Sequence, residues 1–300
     1  EMLRSLVGSE MCIRDSLISL LGKPIRHSAS PVTHSVSFEL MGVEAVYLAF
    51  EVVPEELPHV LSAMRCMDGW DGSNVTMPNK QAVIPYLDGL SDAARLIGAV
   101  NVIQKTSDAK LIGHNTDGAG FMTNLRKHGI DPAGKTFTLM GPGGAGSAIA
   151  VQAALDGVKV LHVFARENGP SYQHMQTLIA PLHEQSGCDV ILHAWENKEE
   201  LQQAIAESDV LVNASSVGMG DGCTDSPVPA DFIKSGMVVA DAVYHPLYTQ
   251  LLKDAAAKDC EVITGIGMMN EQAAIGEKIW YGIEMPIEKI TLELENAQDK

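Results

Sequence analysis

The stretch that decides the fold runs from Thr136 to Leu155 and reads TFTLMGPGGAGSAIAVQAAL. An apolar run is followed at once by a glycine-rich turn, and the turn opens a helix-like segment. A strand, a glycine turn and a helix in this order are typical of a dinucleotide-binding βαβ unit, because glycines let the backbone approach a pyrophosphate at the helix N-terminus. The turn residues assigned to that contact are Gly141, Gly143, Gly144 and Ala145. The alternative is a glycine turn that serves packing alone.

Further strand-like runs follow on the C-terminal side of this turn. KVLHVFAR, CDVILHA, DVLVNAS and MVVADAVY each come after a plausible helix, and Val262-Ile263 is a possible last strand. This alternation predicts a Rossmann-type nucleotide-binding lobe over 117–264. Arg166 and Glu167 follow its second strand, where a reader of the adenosine ribose is expected.

The N-terminal side of the chain predicts a second α/β lobe over 17–116. Five runs in this part of the chain are strand-like: LISLLG, VYLAFEV, WDGSNVTM, NVIQ and LIGHN. Helical stretches, including 79–87 and 91–98, separate most of them. Ser30 and Pro31 are typical of the N-cap and first residue of a helix, and Gly42 is typical of its end. Strands separated by helices favour parallel βαβ units. The last segment, 265–300, is predicted to be helical and to return to this first lobe.

The first sixteen residues, EMLRSLVGSEMCIRDS, show no helical or strand period and no signal-peptide pattern. LVGSEMCIRDS resembles the in-frame translation of a DNA-sequencing adapter. We therefore interpret 1–16 as a non-native segment, with a genuine flexible tail as the alternative.

Composition excludes several classes of protein. The 300 residues include 21 Lys and Arg against 38 Asp and Glu, a formal net charge of −17, so nucleic-acid binding is not expected. No apolar run is long enough to predict a membrane span. The five cysteines are scattered, which favours a reducing cytoplasm over a disulfide framework. The ten histidines have no metal-ligand spacing, so we expect no metal and assign them to surface or capping positions.

Three polar clusters follow predicted strand ends. The first holds Ser28 and Ser30, whose hydroxyls and the free helix N–H groups could hold a carboxylate or a polyol; helix capping by Ser30 is the alternative. The second is Asn74-Val75-Thr76-Met77-Pro78-Asn79-Lys80, and a solvated surface lysine is the alternative for Lys80. The third is Asn115-Thr116-Asp117-Gly118, where Asp117 could be a helix N-cap, with Asn101 on the preceding strand.

Taken together, these clusters resemble the shikimate/quinate dehydrogenase family. The matching motifs are GKPIRHSASP, SNVTMPNK, IGAVNVI, GHNTDGAGF, GPGGAGSA, VNASSVGM and GIGMMNEQA, in the family's order from about Leu17 to the C-terminus. The resemblance implies that Lys80 and Asp117 match the catalytic Lys–Asp pair. It implies that substrate is bound by Ser28, Ser30, Asn74, Thr76, Asn101, Tyr244 and Gln272. It also places Ser215, Gly265 and Met268 with the cofactor-binding residues.

The implied activity is reversible, NAD(P)-dependent reduction of 3-dehydroshikimate to shikimate, a step towards chorismate and the aromatic amino acids. Hydride transfer to a ketone develops alkoxide charge, which a positioned ammonium can stabilise and protonate. Dual use of quinate, or a non-catalytic dinucleotide-binding module on the same fold, are the alternatives. The implied enzyme is a monomer or homodimer.

Cofactor choice depends on Arg166 and Glu167. Family members that prefer NADP carry an Asn-Arg-Thr/Ser-like triplet here, whereas this chain reads Ala165-Arg166-Glu167. The arginine pairs well with a 2′-phosphate, but the carboxylate repels one and accepts hydrogen bonds from a free 2′-OH. We expect both cofactors to be used, with a modest lean to NAD; the alternative is that Arg166 alone sets an NADP preference.

Overall fold

The computed structural model describes residues 16–26 and 28–291, and these residues form two compact units. Unit one comprises 16–91, 98–114 and 276–291 within the described range, and unit two comprises 92–97 and 115–275. Residues 1–15 of the segment interpreted as non-native lie outside the described residues. Ser16, its last residue, begins the first strand and pairs with Ala45, so Ser16 belongs to the folded chain.

Unit one is built on a six-stranded sheet, counted within the described residues, with strand order β2-β1-β3-β5-β6-β4. Its strands are β1 (Ser16–Gly22), β2 (Ala45–Glu51), β3 (Trp70–Val75), β4 (Gly89–Leu90), β5 (Val102–Lys105) and β6 (Leu111–His114). Its helices are α1 (Ser30–Met41), α2 (Leu57–Cys66) and α3 (Asn79–Ala82), with 3-10 turns at Pro54–Glu56 and Ile84–Tyr86.

The sheet of unit one is mixed, and the expectation of purely parallel units is wrong at β5. That strand runs antiparallel to both β3 and β6. Only residues 106–110 join β5 to β6, and so short a connection can join only antiparallel strands, because a parallel crossover needs a dozen or more residues.

Helix α1 begins one position earlier than its capping pattern predicts. Ser30 is the first helical residue, the N-cap position belongs to Ala29, and no side chain caps the helix there. The hydroxyl of Ser28 instead accepts the Ser30 N–H at 3.3 Å. The predicted capping role of Ser30 is therefore wrong, whereas Gly42 ends the helix in the left-handed region (φ 64°) as predicted.

The core of unit one joins β1, β2 and α1 to the end of the last helix. Ile18, Leu20, Phe38 and Tyr47 are buried together, with Trp280 packed against them. The Trp280 indole N–H donates to the Ile103 carbonyl at 3.0 Å. Residues 276–291 are thus anchored to the sheet of unit one.

Unit two contains a parallel sheet with strand order β12-β11-β10-β7-β8-β9. Its strands are β7 (Thr136–Met140), β8 (Val160–Ala165), β9 (Asp189–Ala194), β10 (Val210–Asn213), β11 (Val238–Asp241) and β12 (Glu261–Ile263). Its helices are α4 (Asp92–Ile97), α5 (Asp117–Lys127), α6 (Gly144–Leu155), α7 (Pro170–Ser186), α8 (Lys198–Glu207), α9 (Gln250–Ala256) and, with its last turns in unit one, α10 (Gly265–Tyr281). This is the doubly wound order of a Rossmann fold, with its switch point between β7 and β10. The predicted two-lobed α/β fold with a Rossmann-type lobe is confirmed.

Helix α6 is the centre of the packing in unit two. Six of its residues between Ala148 and Ala154 are fully buried, so the helix is apolar all round. Helix α5 packs closely against it, since a Cβ on Gly118 would lie 2.2 Å from the Ala148 carbonyl oxygen. Among the helices described, none has the length and apolar character of a bilayer-spanning segment.

Candidate active site

The substrate-binding residues predicted in unit one lie at one edge of its sheet. β1 and β3 are parallel neighbours, so their carboxyl ends share an edge, and the antiparallel β5 starts at that same edge. Ser28 and Ser30 follow β1, Asn74 and Thr76 stand at the end of β3, and Asn101 immediately precedes β5.

Hydrogen bonds fix the orientation of the Asn74 amide. The Tyr47 hydroxyl donates to Asn74 Oδ1 at 2.6 Å, and Asn74 Nδ2 donates to the Asn101 carbonyl at 3.2 Å. The same Asn101 carbonyl accepts the Val75 N–H at 2.9 Å. Two predicted binding residues, Asn74 and Asn101, are therefore directly connected.

Lys80 lies on the short helix α3, directly after the Asn74–Thr76 strand end. It is half-buried, and its carbonyl accepts the Val100 N–H at 2.8 Å, which ties α3 to the segment before β5. Lys80 is thus partly shielded from solvent, and its catalytic assignment stays a prediction.

Asp117 is buried at the start of α5, in unit two. It is the first helical residue and 8% exposed, while the N-cap position is taken by Thr116. The alternative interpretation of Asp117 as the N-cap is wrong. Its backbone N–H donates to Asn115 Oδ1 at 3.1 Å, and a carboxylate in a first helical turn is stabilised by the helix dipole.

Gln272 lies against the same end of α5. The Thr116 hydroxyl donates to the Gln272 carbonyl at 3.0 Å. Gly120 permits this approach, because a Cβ there would lie 2.6 Å from the Gln272 nitrogen. Within unit two the structure thus brings Asp117 and Gln272 to one helix–helix contact.

The glycine turn lies at the switch point of the unit-two sheet. Gly141 has φ +85° and a Cβ there would lie 2.7 Å from Ser215 Cβ, so this position requires glycine and brings two predicted cofactor residues together. A Cβ on Gly146 would lie 2.1 Å from the Gly141 oxygen. Around Gly143 and Gly144, in contrast, a Cβ would meet nothing within 4 Å. Open backbone at a helix N-terminus beside a parallel-sheet switch point fits a pyrophosphate.

A buried polar pair that the sequence analysis missed supports this turn. Asn213 Oδ1 accepts both the N–H and the hydroxyl of Ser215, at 3.1 and 2.7 Å, and Asn213 Nδ2 donates to Asp241 at 2.9 Å. Burial raises the pKa of Asp241 to about 6, against opposing hydrogen bonds from Thr249, Val243 and Asn213. The sequence did contain a signal for this pair, because Asn213 and Asp241 are the polar last residues of two otherwise apolar strands, β10 and β11.

The remaining predicted residues of unit two differ in exposure. Arg166 and Glu167 are exposed directly after β8, and Tyr244 is 53% exposed after β11. Met268 is 8% exposed, and a Cβ on Gly265, the first residue of α10, would lie 2.6 Å from the Val243 carbonyl oxygen. No group of three His, Cys, Asp or Glu side chains within 16–26 and 28–291 is arranged as a metal site.

The assignment of histidines to surface or capping positions is wrong for His34 and His162. They are only 1% and 7% exposed. His34 Nδ1 lies 2.7 Å from Glu277 Oε1, and the Ser37 hydroxyl donates to Glu277 Oε2 at 2.6 Å. The spacing of His34, Ser37 and Phe38 on one helical face could have indicated burial.

The fold and the glycine turn define the class: a two-unit α/β protein with a Rossmann-type dinucleotide-binding unit. Residues 20–103 match the family model described as the shikimate dehydrogenase substrate binding domain. The chain is 42% identical to the shikimate dehydrogenase (NADP(+)) of Listeria innocua over 277 residues, 91% of this chain and 94% of the relative. The chain belongs to the shikimate dehydrogenase family.

Solved structures agree with this membership. Shikimate 5-dehydrogenase from Listeria monocytogenes, solved in complex with shikimate and NAD, superposes with a TM-score of 0.89 at 41% identity, covering 93% of this chain and 96% of that one. The ligand-free 5-ketofructose reductase of a Gluconobacter strain gives a TM-score of 0.86 at 33% identity, covering 94% and 99%.

Proposed function

We propose that this protein is an NAD(P)-dependent dehydrogenase that interconverts 3-dehydroshikimate and shikimate. The observation that carries the proposal is the sheet edge of unit one, where the half-buried Lys80 follows the ordered Asn74–Asn101 amide network. The open glycine turn of unit two supports it, because that turn fits the pyrophosphate of a dinucleotide. Relatives named for this reaction align with nearly the whole chain.

In the proposed mechanism, Ser28 and Ser30 hold the substrate carboxylate, and Asn74, Thr76, Asn101, Tyr244 and Gln272 bind the rest of the substrate. When bound, the reduced nicotinamide supplies the hydride to the carbonyl carbon. The Lys80 ammonium stabilises the negative charge that develops on the carbonyl oxygen and transfers a proton from Nζ to that oxygen. Asp117 is the second member of the proposed catalytic pair. In the oxidative direction Lys80 takes the hydroxyl proton back.

The dinucleotide would be held by residues of unit two. Gly143 and Gly144 leave room for the pyrophosphate, Gly141 and Ala145 belong to the same turn, and Ser215, after β10, lies against Gly141. Arg166 and Glu167 directly follow β8, the position at which a Rossmann fold is expected to contact the adenosine ribose. Because a guanidinium favours a 2′-phosphate and a carboxylate opposes it, we propose that both NAD and NADP are used, with NAD modestly favoured. We also propose a cytoplasmic location and a monomeric or homodimeric state.

Replacement of Lys80 tests the proposal. Lys80→Ala is expected to lower kcat for shikimate oxidation by about 10²–10⁴-fold, the usual contribution of acid–base catalysis, with a smaller change in KM. Lys110→Ala is the control, because Lys110 is exposed on the β5–β6 hairpin. Steady-state kinetics with shikimate and both cofactors measure the effect. An unchanged kcat in Lys80→Ala would remove Lys80 from the mechanism.

A further inference from the structure

Tyr47 contacts one of the residues assigned to substrate binding. It is 4% exposed, and its hydroxyl donates to Asn74 Oδ1 at 2.6 Å. Tyr47 lies on β2 and Asn74 on β3, and both strands pair with β1 between them. The phenol therefore reaches across β1 to the Asn74 amide.

The directions of these hydrogen bonds are determined by chemistry. Asn74 Nδ2 donates to the Asn101 carbonyl, so the oxygen that faces Tyr47 is an acceptor and the Tyr47 O–H must donate to it. Burial raises the pKa of Tyr47, which keeps this donor protonated.

A buried pair holds the ring of Tyr47 in place. The His34 ring stacks on the Tyr47 ring, with centroids 4.6 Å apart and planes 13° apart. His34 is fixed in turn by Glu277, which is 0% exposed and also accepts the Ser37 hydroxyl. A buried carboxylate is costly without partners, so Glu277 is expected to keep its contact with His34. His34 is thereby held against the Tyr47 ring, which fixes the position of the phenol.

We propose that Tyr47 is a positioning residue that fixes the Asn74 amide for substrate binding. The inference rests on the proposed function. Tyr47 donates to Asn74 Oδ1 and Asn74 Nδ2 donates to the Asn101 carbonyl, so the second N–H of the amide meets the substrate in a fixed direction. Binding energy is gained by such ordering, because less conformational freedom is lost when the substrate arrives. The chemical step on Lys80 does not involve the phenol.

The test is Tyr47→Phe, which keeps the ring and its stacking on His34 and removes only the hydroxyl. KM for shikimate is expected to rise about tenfold, with kcat within about twofold of the parent and KM for the cofactor unchanged. Tyr281→Phe is the matched control, because it removes a hydroxyl of unit one whose partner is Asp71 rather than a binding residue. A shikimate KM in Tyr47→Phe equal to that of Tyr281→Phe overturns the inference.

A double-mutant cycle separates positioning from simple loss of stability. Tyr47→Phe and Asn74→Ala are made singly and together, and shikimate kcat/KM is measured for each. The effect of Tyr47→Phe is expected to disappear in the Asn74→Ala background, because the hydroxyl then has no amide to orient. An equal loss in both backgrounds, at unchanged melting temperature, contradicts the inference while leaving the proposed function intact. A parent protein that does not oxidise shikimate contradicts both.

Discussion

Asp241 shows how one buried side chain can make the stability of the nucleotide-binding unit depend on pH. It is 1% exposed at the end of β11, and its carboxylate accepts the Thr249 hydroxyl at 2.7 Å and the Val243 N–H at 2.9 Å. These bonds do not offset desolvation, so burial raises its pKa to about 6. Asp241 also holds Asn213, and Asn213 holds Ser215 beside the glycine turn.

The raised pKa predicts a loss of stability as the pH rises. An aspartate in the unfolded chain titrates near about 3.9, so between about pH 4 and 6 the folded state binds more protons than the unfolded state. The free energy of unfolding therefore falls with rising pH over this interval, and the full penalty is present above it. Two pKa units correspond to about 3 kcal/mol at most.

Asp241→Asn is expected to remove this dependence. Relative to the parent, the free energy of unfolding of the variant should rise by up to about 3 kcal/mol between pH 4 and pH 7, because an amide does not titrate. Urea unfolding at several pH values measures it, with the exposed Asp231→Asn as control. A difference between Asp241→Asn and the parent that stays constant across this range would show that Asp241 does not titrate in the folded protein.

At the scale of elements, α8 offers a simple test of how the chain begins a helix. Asn197 stands at its N-cap, and the side-chain oxygen accepts the Glu200 N–H at 3.2 Å. The helix buries Leu201, Ala204 and Ile205 against the sheet. Loss of the cap weakens the element that covers this side of the core.

Asn197→Ala is expected to lower the free energy of unfolding by about 1 kcal/mol, the usual effect of removing an N-cap side chain. Asn197→Asp keeps an acceptor oxygen and should retain most of the stability. Lys198→Ala is the control at the next, exposed position. Chemical denaturation compares the three variants, and equal losses in Asn197→Ala and Lys198→Ala would show that the cap contributes nothing.

The sequence predicted most elements, and the failures have local physical causes. The Rossmann order could be predicted because βα units repeat from β7 to β12, each with its apolar strand. The antiparallel direction of β5 could have been predicted from the short 106–110 connection to β6, but not from the composition of the strands. Serine is the usual N-cap residue, so the sequence pattern placed the N-cap of α1 at Ser30. In the structure the N-cap is Ala29, whose backbone is already helical, so Ser30 is the first residue of the helix.

The residues of the candidate site fall into two groups: those that belong to a sequence motif, and those that only the packing of distant segments brings into the site. Residues carried by motifs, such as Lys80, Asp117 and Gly141, could be named from the sequence because their chemistry is local to a strand end. Tyr47 and Glu277 could not, because their importance comes from contacts between positions 27 and 243 residues apart in the chain. A tyrosine within a strand and a glutamate within a helix carry no sequence pattern that predicts such partners.

At the scale of the whole molecule, the net charge of −17 should influence cofactor choice. NADP differs from NAD by a phosphate monoester that adds a charge of about −1.5 to −2. Two opposing effects act on it: repulsion from acidic residues spread over the molecule, and attraction from Arg166 at short range. Raising the ionic strength from about 0.01 to 0.15 M shortens the Debye length from about 30 to about 8 Å. Distant repulsion is then screened, whereas a guanidinium–phosphate contact lies within the shorter length and is retained.

The ratio of KM for NADP to KM for NAD is therefore expected to fall as salt is added over this range, so the proposed preference for NAD should be strongest at low salt. Steady-state kinetics at fixed pH with both cofactors measure the ratio. Glu167→Thr is the companion variant: it should lower the ratio at every salt concentration, because a nearby carboxylate is removed. Its salt dependence should stay parallel to that of the parent, because the distant charges are unchanged. A parent ratio that rises with salt would mean that attraction to Arg166, rather than the field of the whole molecule, dominates discrimination between the two cofactors.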